Sequence, residues 1–365
     1  MSVFDRAAAH IRSISPYQPG KPISELAREM GLQESSIVKL ASNENPLGMS
    51  PHARAAALAA IDEVPRYPDG NGFELKQALM RHHDIEMNQI VLGNGSNDVL
   101  EMVARALLGP GSSAVYSKHA FAVYPLATLA AGAFGIEVPA HGFGCDLGAM
   151  RAAIRVDTRV VFIANPNNPT GTFVDAAALE RFVASVPVDV LVVLDEAYSE
   201  YLPEHLAYDS ARWLARYPNL LVSRTFSKAY GLGGLRVGYG IGQPSVVDLL
   251  NRVRQPFNVS NVGLAAAAAA LTDQDFVRAS AAVNAAGLRQ MEAFFDGQRI
   301  EYIHSCANFI AFRAGDAATT NRRLLEQGVI VRPIAGYAMP EWLRVSIGVE
   351  SENARFIDAL TRAWT

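Results

Sequence analysis

Residues 159–198 read RVVFIANPNNPTGTFVDAAALERFVASVPVDVLVVLDEAY. An apolar, β-branched run (159–166) gives way to an Asn/Pro/Gly turn. A helical pattern follows in AAALERFVASV (176–186), then a second apolar run (189–198) that ends on acidic and aromatic residues. Two near-continuous Val/Ile/Leu strands joined through one helix have the sequence form of a βαβ unit. Its strands run parallel and are covered on both faces.

The same alternation continues on both sides. Strand candidates are QIVLG (89–93), SAVYS (113–117), FGIEVPA (134–140), NLLVSRTF (219–226) and RVGYGIG (236–242). SNDVLEMVARALL (96–108) is a helix between two of them, and further helices are expected at 51–63 and 73–83. The pattern predicts an α/β fold with a mostly parallel seven-stranded sheet. After about Pro256 it changes. A long helix (275–296) is followed by short strands in NFIAF, VIVRP and WLRVSIG, with helices at 318–327 and 351–364. This predicts a smaller α+β domain completed by the N-terminal segment, whose one helical pattern, ISELAREMG, ends at Gly31. The expected division is 1–44 (arm and part of the small domain), 45–258 (large domain) and 259–365 (small domain).

Composition narrows the function. The chain has 365 residues, half of them apolar, and a formal net charge of −4, so neither nucleic acid nor an anionic membrane is an expected partner. Cys145 and Cys306 lie far apart without metal-ligand spacing, so no metal is expected. The start, MSVFDRAAAHIRSI, lacks a signal-peptide core, and the run LAAAAAAL (264–271) is too short to span a bilayer; a cytoplasmic location is expected. Of 32 lysines and arginines only five are lysine: Lys21, Lys39, Lys76, Lys118 and Lys228. A lysine in an apolar, glycine-rich segment then invites a chemical reading, because an amine can lose its proton and a guanidinium cannot.

Ligands of open α/β sheets bind at the carboxyl ends of the strands. Four polar clusters follow strands here: GNGSND (93–98), NPNNPTG (165–171), DEAYSEY (195–201) and SKAYGLGGLR (227–236). Singly, each has an ordinary explanation. GNGSND and NPNNPTG read as turns, Asp195 as a cap or ion-pair partner, and Lys228 as a solvated lysine. GLGGLRVG has the spacing of a dinucleotide fingerprint, but it precedes a strand instead of opening a helix. Together they make a set. Ser227-Lys228 followed by Arg236 puts an amine beside phosphate-binding groups, and Asp195 supplies a carboxylate for a pyridinium nitrogen. Pyridoxal phosphate (PLP) requires that combination.

These motifs resemble the fold-type I, class II aminotransferases and, within them, the histidinol-phosphate branch. The resemblance runs from SPYQPGKP (15–22) and KLASNENPLG (39–48), through RYPDGNG (66–72) and the four clusters, to VIVRPIAGYAMPEWLRVSIG (329–348). It implies that Lys228 carries PLP and shuttles the proton, and that Asp195 keeps the pyridine nitrogen protonated. Tyr198 and Asn168 would bond the phenolic oxygen. Gly95, Ser96 and Asn97 would meet the phosphate with a helix start, completed by Thr225, Ser227 and Arg236. Tyr67 would reach the cofactor phosphate of a neighbouring subunit in a homodimer. Arg344 would hold the substrate's acidic group, with Arg332, Tyr17 and Asn43 nearby. Where the family often has a tyrosine stacked on the ring, AFAVY (120–124) places Phe121. The implied substrates are L-histidinol phosphate and 2-oxoglutarate. An aromatic amino-acid aminotransferase and a threonine-phosphate-type decarboxylase are the alternatives.

Overall fold

The structure is a computed structural model that describes residues 2–16 and 18–364. A two-residue strand β1 (Val38–Lys39) precedes the main sheet. That sheet is built from β2 (Ile90–Gly93), β3 (Ser113–Ser117), β4 (Phe134–Val138), β5 (Thr158–Ala164), β6 (Leu191–Asp195), β7 (Leu220–Thr225) and β8 (Gly238–Gly242). Its order is β2-β8-β7-β6-β5-β3-β4, and β8 runs antiparallel to both its neighbours. All seven expected strands are present; β3 matches its run 113–117 end to end, and the other six are shorter than theirs because the flanking residues turn into the loops.

Period-two alternation explains the two covered faces. Leu92, Val115, Val161, Ile163, Val192, Leu194 and Val222 point into one buried cluster. Their neighbours Val91, Ala114, Val160, Phe162, Val193 and Leu221 point into another. Helices close both faces, among them Ser96–Leu107 and Ala176–Ser185.

A second, four-stranded sheet has the order β12-β13-β10-β9, from β9 (Tyr302–Ile303), β10 (Phe309–Arg313), β12 (Arg332–Pro333) and β13 (Trp342–Ser346). The run VIVRP divides between two sheets. Val329–Ile330 (β11) pairs parallel with β1, while β12 pairs antiparallel with β13. The long helix expected at 275–296 spans Gln274–Gln298. Among the described residues no helix is long and apolar enough to cross a membrane.

The topology sets where chemistry can gather. The carboxyl ends of β2, β5, β6 and β7 lie on one rim. Because β8 is antiparallel, its beginning lies on that rim too and brings Arg236 there.

Candidate active site

A cavity of about 210 Å³ opens at this rim. Its phosphate-sized end is shaped by glycines. Gly95 caps the helix Ser96–Leu107 at φ 78°, and a Cβ on it would stand 2.3 Å from Nη2 of Arg236. A Cβ on Gly238 would stand 2.3 Å from the amide nitrogen of Ser96. Glycine at both positions lets the helix start, the β8 backbone and the guanidinium pack together. Arg236 Nη1 donates to Ser227 Oγ (3.1 Å) and to the Gly233 carbonyl (3.1 Å). The Ser227 amide donates to Thr225 Oγ1 (3.1 Å). A helix N-terminus, a guanidinium and two hydroxyls thus surround one space, an arrangement suited to a dianion.

At the far end Asp195 closes β6. Its Oδ2 accepts a hydrogen bond from the buried Tyr124 hydroxyl (2.9 Å). Its Oδ1 is buried and has no hydrogen-bond partner. Burial pushes this carboxyl up to about 6, against the Tyr124 bond, which lowers it. An unsatisfied buried carboxylate oxygen is costly, and in the wall of a cavity it suits a cationic ring N–H.

Lys228 Nζ lies 3.4 Å from the Ser42 carbonyl and 5.7 Å from the centre of the Tyr198 ring. Burial first, then the positive charge of Arg344, brings its ammonium down to about 8. Tyr198 Oη accepts from Asn43 Nδ2 (3.0 Å), so its own proton remains to be donated. Ser346 holds Asn43 through both its amide and its Oδ1. The buried Arg344 donates to Asn168 Oδ1 (2.5 Å) and to the Ala41 carbonyl (2.9 Å). Arg332 stands directly across the β12–β13 ladder from Arg344 and donates to the Gln18 carbonyl (2.5 Å). Phe121 lines the cavity and meets Tyr124 edge-on, at 5.9 Å and 87°.

Most residues singled out from sequence therefore converge: Asn43, Ser96, Asn97, Phe121, Asn168, Asp195, Tyr198, Thr225, Ser227, Lys228, Arg236, Arg332 and Arg344 all line this cavity. Gly95 backs it. Tyr67 does not reach it; that side chain is 81% exposed and stacks on Phe257 at 4.7 Å. Tyr17 lies outside the described residues. Sequence reading missed Tyr124, Ser42, Gly20 and Tyr337. Tyr124 sits one helical turn after Phe121, a spacing that signals a shared face, but nothing local points it at Asp195.

The family model "Aminotransferase class I and II" matches residues 35–360. The chain belongs to this family of aminotransferases. At closer range, it is 61% identical over 364 residues to histidinol-phosphate aminotransferase 2 of Nitrosospira multiformis, covering 100% of this chain and 93% of that protein. It is 59% identical over 363 residues to histidinol-phosphate aminotransferase 1 of Dechloromonas aromatica, covering 100% of both. The crystal structure of histidinol-phosphate aminotransferase from Sinorhizobium meliloti in complex with pyridoxal-5′-phosphate superposes with a TM-score of 0.89 at 28% identity, covering 98% of this chain and 97% of that one. The fold is that of the fold-type I PLP enzymes. The cavity fits the cofactor by its own chemistry, with an anion cradle at one end, the unpartnered Asp195 Oδ1 at the other, the flat face of Phe121 and a half-buried amine.

Proposed function

We propose that this chain transfers an amino group between L-histidinol phosphate and 2-oxoglutarate, giving imidazole-acetol phosphate and L-glutamate, with PLP held in the cavity. The observation that carries the reading is Lys228, a half-buried amine set between an anion cradle and the unpartnered Asp195 Oδ1. When bound, the cofactor supplies an electron sink for the bond broken at the amine-bearing carbon.

The chain's own residues do the rest. Lys228 would hold the cofactor; with its ammonium brought down to about 8, a share of it is neutral near pH 7 and able to do so. Once released, its Nζ would be the base that takes the proton from the amine-bearing carbon and, as an ammonium, the acid that hands it on to a different carbon within the same cavity. Asp195 Oδ1 would accept the ring N–H. The Tyr198 hydroxyl and the Asn168 amide nitrogen, whose carbonyl Arg344 already occupies, would donate toward the phenolic oxygen. Arg344 and Arg332 hold the substrate's phosphate. A lone carboxylate needs one forked guanidinium, whereas a phosphate ester uses two.

This reading includes a cytoplasmic homodimer. Leu58, Ile61, Val64, Tyr67, Phe73 and Phe257 expose 46–81% of their surface along one stretch of the molecule. A second copy covers this patch and receives Tyr67 at its cofactor phosphate. Two unpaired thiols, Cys145 and Cys306, suit a reducing compartment.

The test is a substrate panel with 2-oxoglutarate as acceptor. Histidinol phosphate should exceed phenylalanine and tyrosine in kcat/KM, with glutamate as product. A preference for phenylalanine would reassign the chain to aromatic amino acids, and carbon dioxide release without glutamate would reassign it to decarboxylation.

A further inference from the structure

Directly behind the cavity lies a charged pair that the chemistry above does not use. Glu196 follows Asp195, and Arg224 precedes Thr225. Arg224 Nε and Nη2 both donate to Glu196 Oε2, at 3.0 and 2.7 Å. The two side chains are 1% and 12% exposed. Every other ion pair among the described residues leaves at least one partner open to solvent.

Stability does not account for such a pair. Removing two charges from water costs about as much as their attraction returns, and apolar residues of equal volume often do as well. What the pair does supply is direction. It joins neighbouring strands at the point where they enter the site, in the register Asp195 opposite Ser223. The Glu196 amide adds a bond to the Ser223 carbonyl (2.9 Å). One strand ends on the carboxylate meant for the ring nitrogen. The other leads within a few residues to the cradle and to Lys228.

We propose that Glu196 and Arg224 are positioning residues, an ion pair that locks β6 to β7 and so fixes Asp195 relative to the Thr225–Lys228 segment. This rests on the PLP reading of the cavity. The surroundings suit a fixed clamp. The nearby His83 ring bonds the Tyr239 hydroxyl at 2.9 Å, and burial holds it down to about 3, so it brings no competing positive charge. Burial also pushes Glu200 up to about 7, which weakens it as a rival partner for Arg224 near neutrality.

The test uses full-length protein loaded with PLP. Glu196→Met with Arg224→Met removes both charges at similar volume, and Arg224→Lys keeps the charge but loses the fork. Thermal midpoint, PLP dissociation constant, the pH midpoint of the visible band and kcat/KM are read together. The double variant should melt within about 4 °C of wild type. Its PLP affinity should weaken roughly tenfold, its band midpoint should move, and kcat/KM should fall on the order of 10- to 100-fold, the cost of a misplacement of about 1 Å or less. Arg224→Lys should fall between. Wild-type affinity, midpoint and turnover in the double variant overturn the proposal, as does a lowered melting point with all three unchanged. Should the double variant not fold, Arg224→Lys with a wild-type band midpoint overturns it equally. A wild-type protein that shows no visible band with PLP refutes the cofactor reading instead, which separates the two failures.

Discussion

Tyr124 donates a 2.9 Å hydrogen bond to Oδ2 of Asp195 and leaves Oδ1 of the same carboxylate unpartnered in the cavity wall. The tyrosine is itself fixed, stacked on Phe162 at 4.9 Å and 6°. Tyr124 thus aims the carboxylate and, with the weaker help of the Ala197 amide, favours its ionised form, which is the form a protonated ring needs.

Tyr124→Phe removes that donor without changing the ring. Losing a bond to the charged form raises the Asp195 carboxyl above its present value of about 6. PLP affinity near neutral pH should drop by about 1 kcal/mol, roughly fivefold. Fluorescence titration of the apoprotein measures this, and an unchanged dissociation constant would contradict the assigned role.

Asp195→Asn should bind PLP but turn over at least about 100-fold more slowly, because the ring nitrogen loses its protonating partner. The apoprotein should show a second effect. Burial raises the Asp195 carboxyl from 3.8 to about 6. Wild type therefore has its full contribution from this group below about pH 4 and loses it as pH rises through 6. The asparagine variant has no such loss. Its stability relative to wild type should climb between these pH values, by on the order of 2–3 kcal/mol, and then level off. Denaturant unfolding of both apoproteins at pH 4 and pH 7.5 decides it.

Arg332→Ala should lower kcat/KM for histidinol phosphate by at least about tenfold while changing phenylalanine far less. Only the phosphorylated substrate is left with a charge unmatched. Equal losses on both would make Arg332 a structural partner of the arm through Gln18.

Val64→Arg, at a side chain 58% exposed in the apolar patch, should convert a dimer to a monomer by light scattering. Turnover should fall with it, since Tyr67 would no longer reach a neighbour's cofactor. A wild-type chain that is monomeric and fully active would contradict the shared site.

The large sheet was legible because buried strands carry their signal locally. Each Val/Ile/Leu run from 89–93 to 236–242 became a strand, and 73–83 became the helix Phe73–His83. The catalytic cluster was legible for a different reason: strand ends carry unusual residues, and the topology collects strand ends. Pairings between distant segments were hidden. VIVRP reads as one strand, yet Val331 is where the chain leaves β1 and joins β13. Tyr124 reads as an apolar helix residue, and its role exists only because β6 ends beside it. Arg224 and Glu196 each look like a surface charge until the β6–β7 register makes them neighbours.

Everything above turns on Lys228 carrying the cofactor. Borohydride reduction of the PLP-loaded protein followed by tryptic mass mapping tests it directly. The phosphopyridoxyl mass should appear on the peptide 225–236, uncleaved at Lys228, and the yellow colour should be missing from Lys228→Ala. Label on Lys21, Lys39, Lys76 or Lys118 instead, or a Lys228→Ala protein that keeps colour and turnover, would contradict the account.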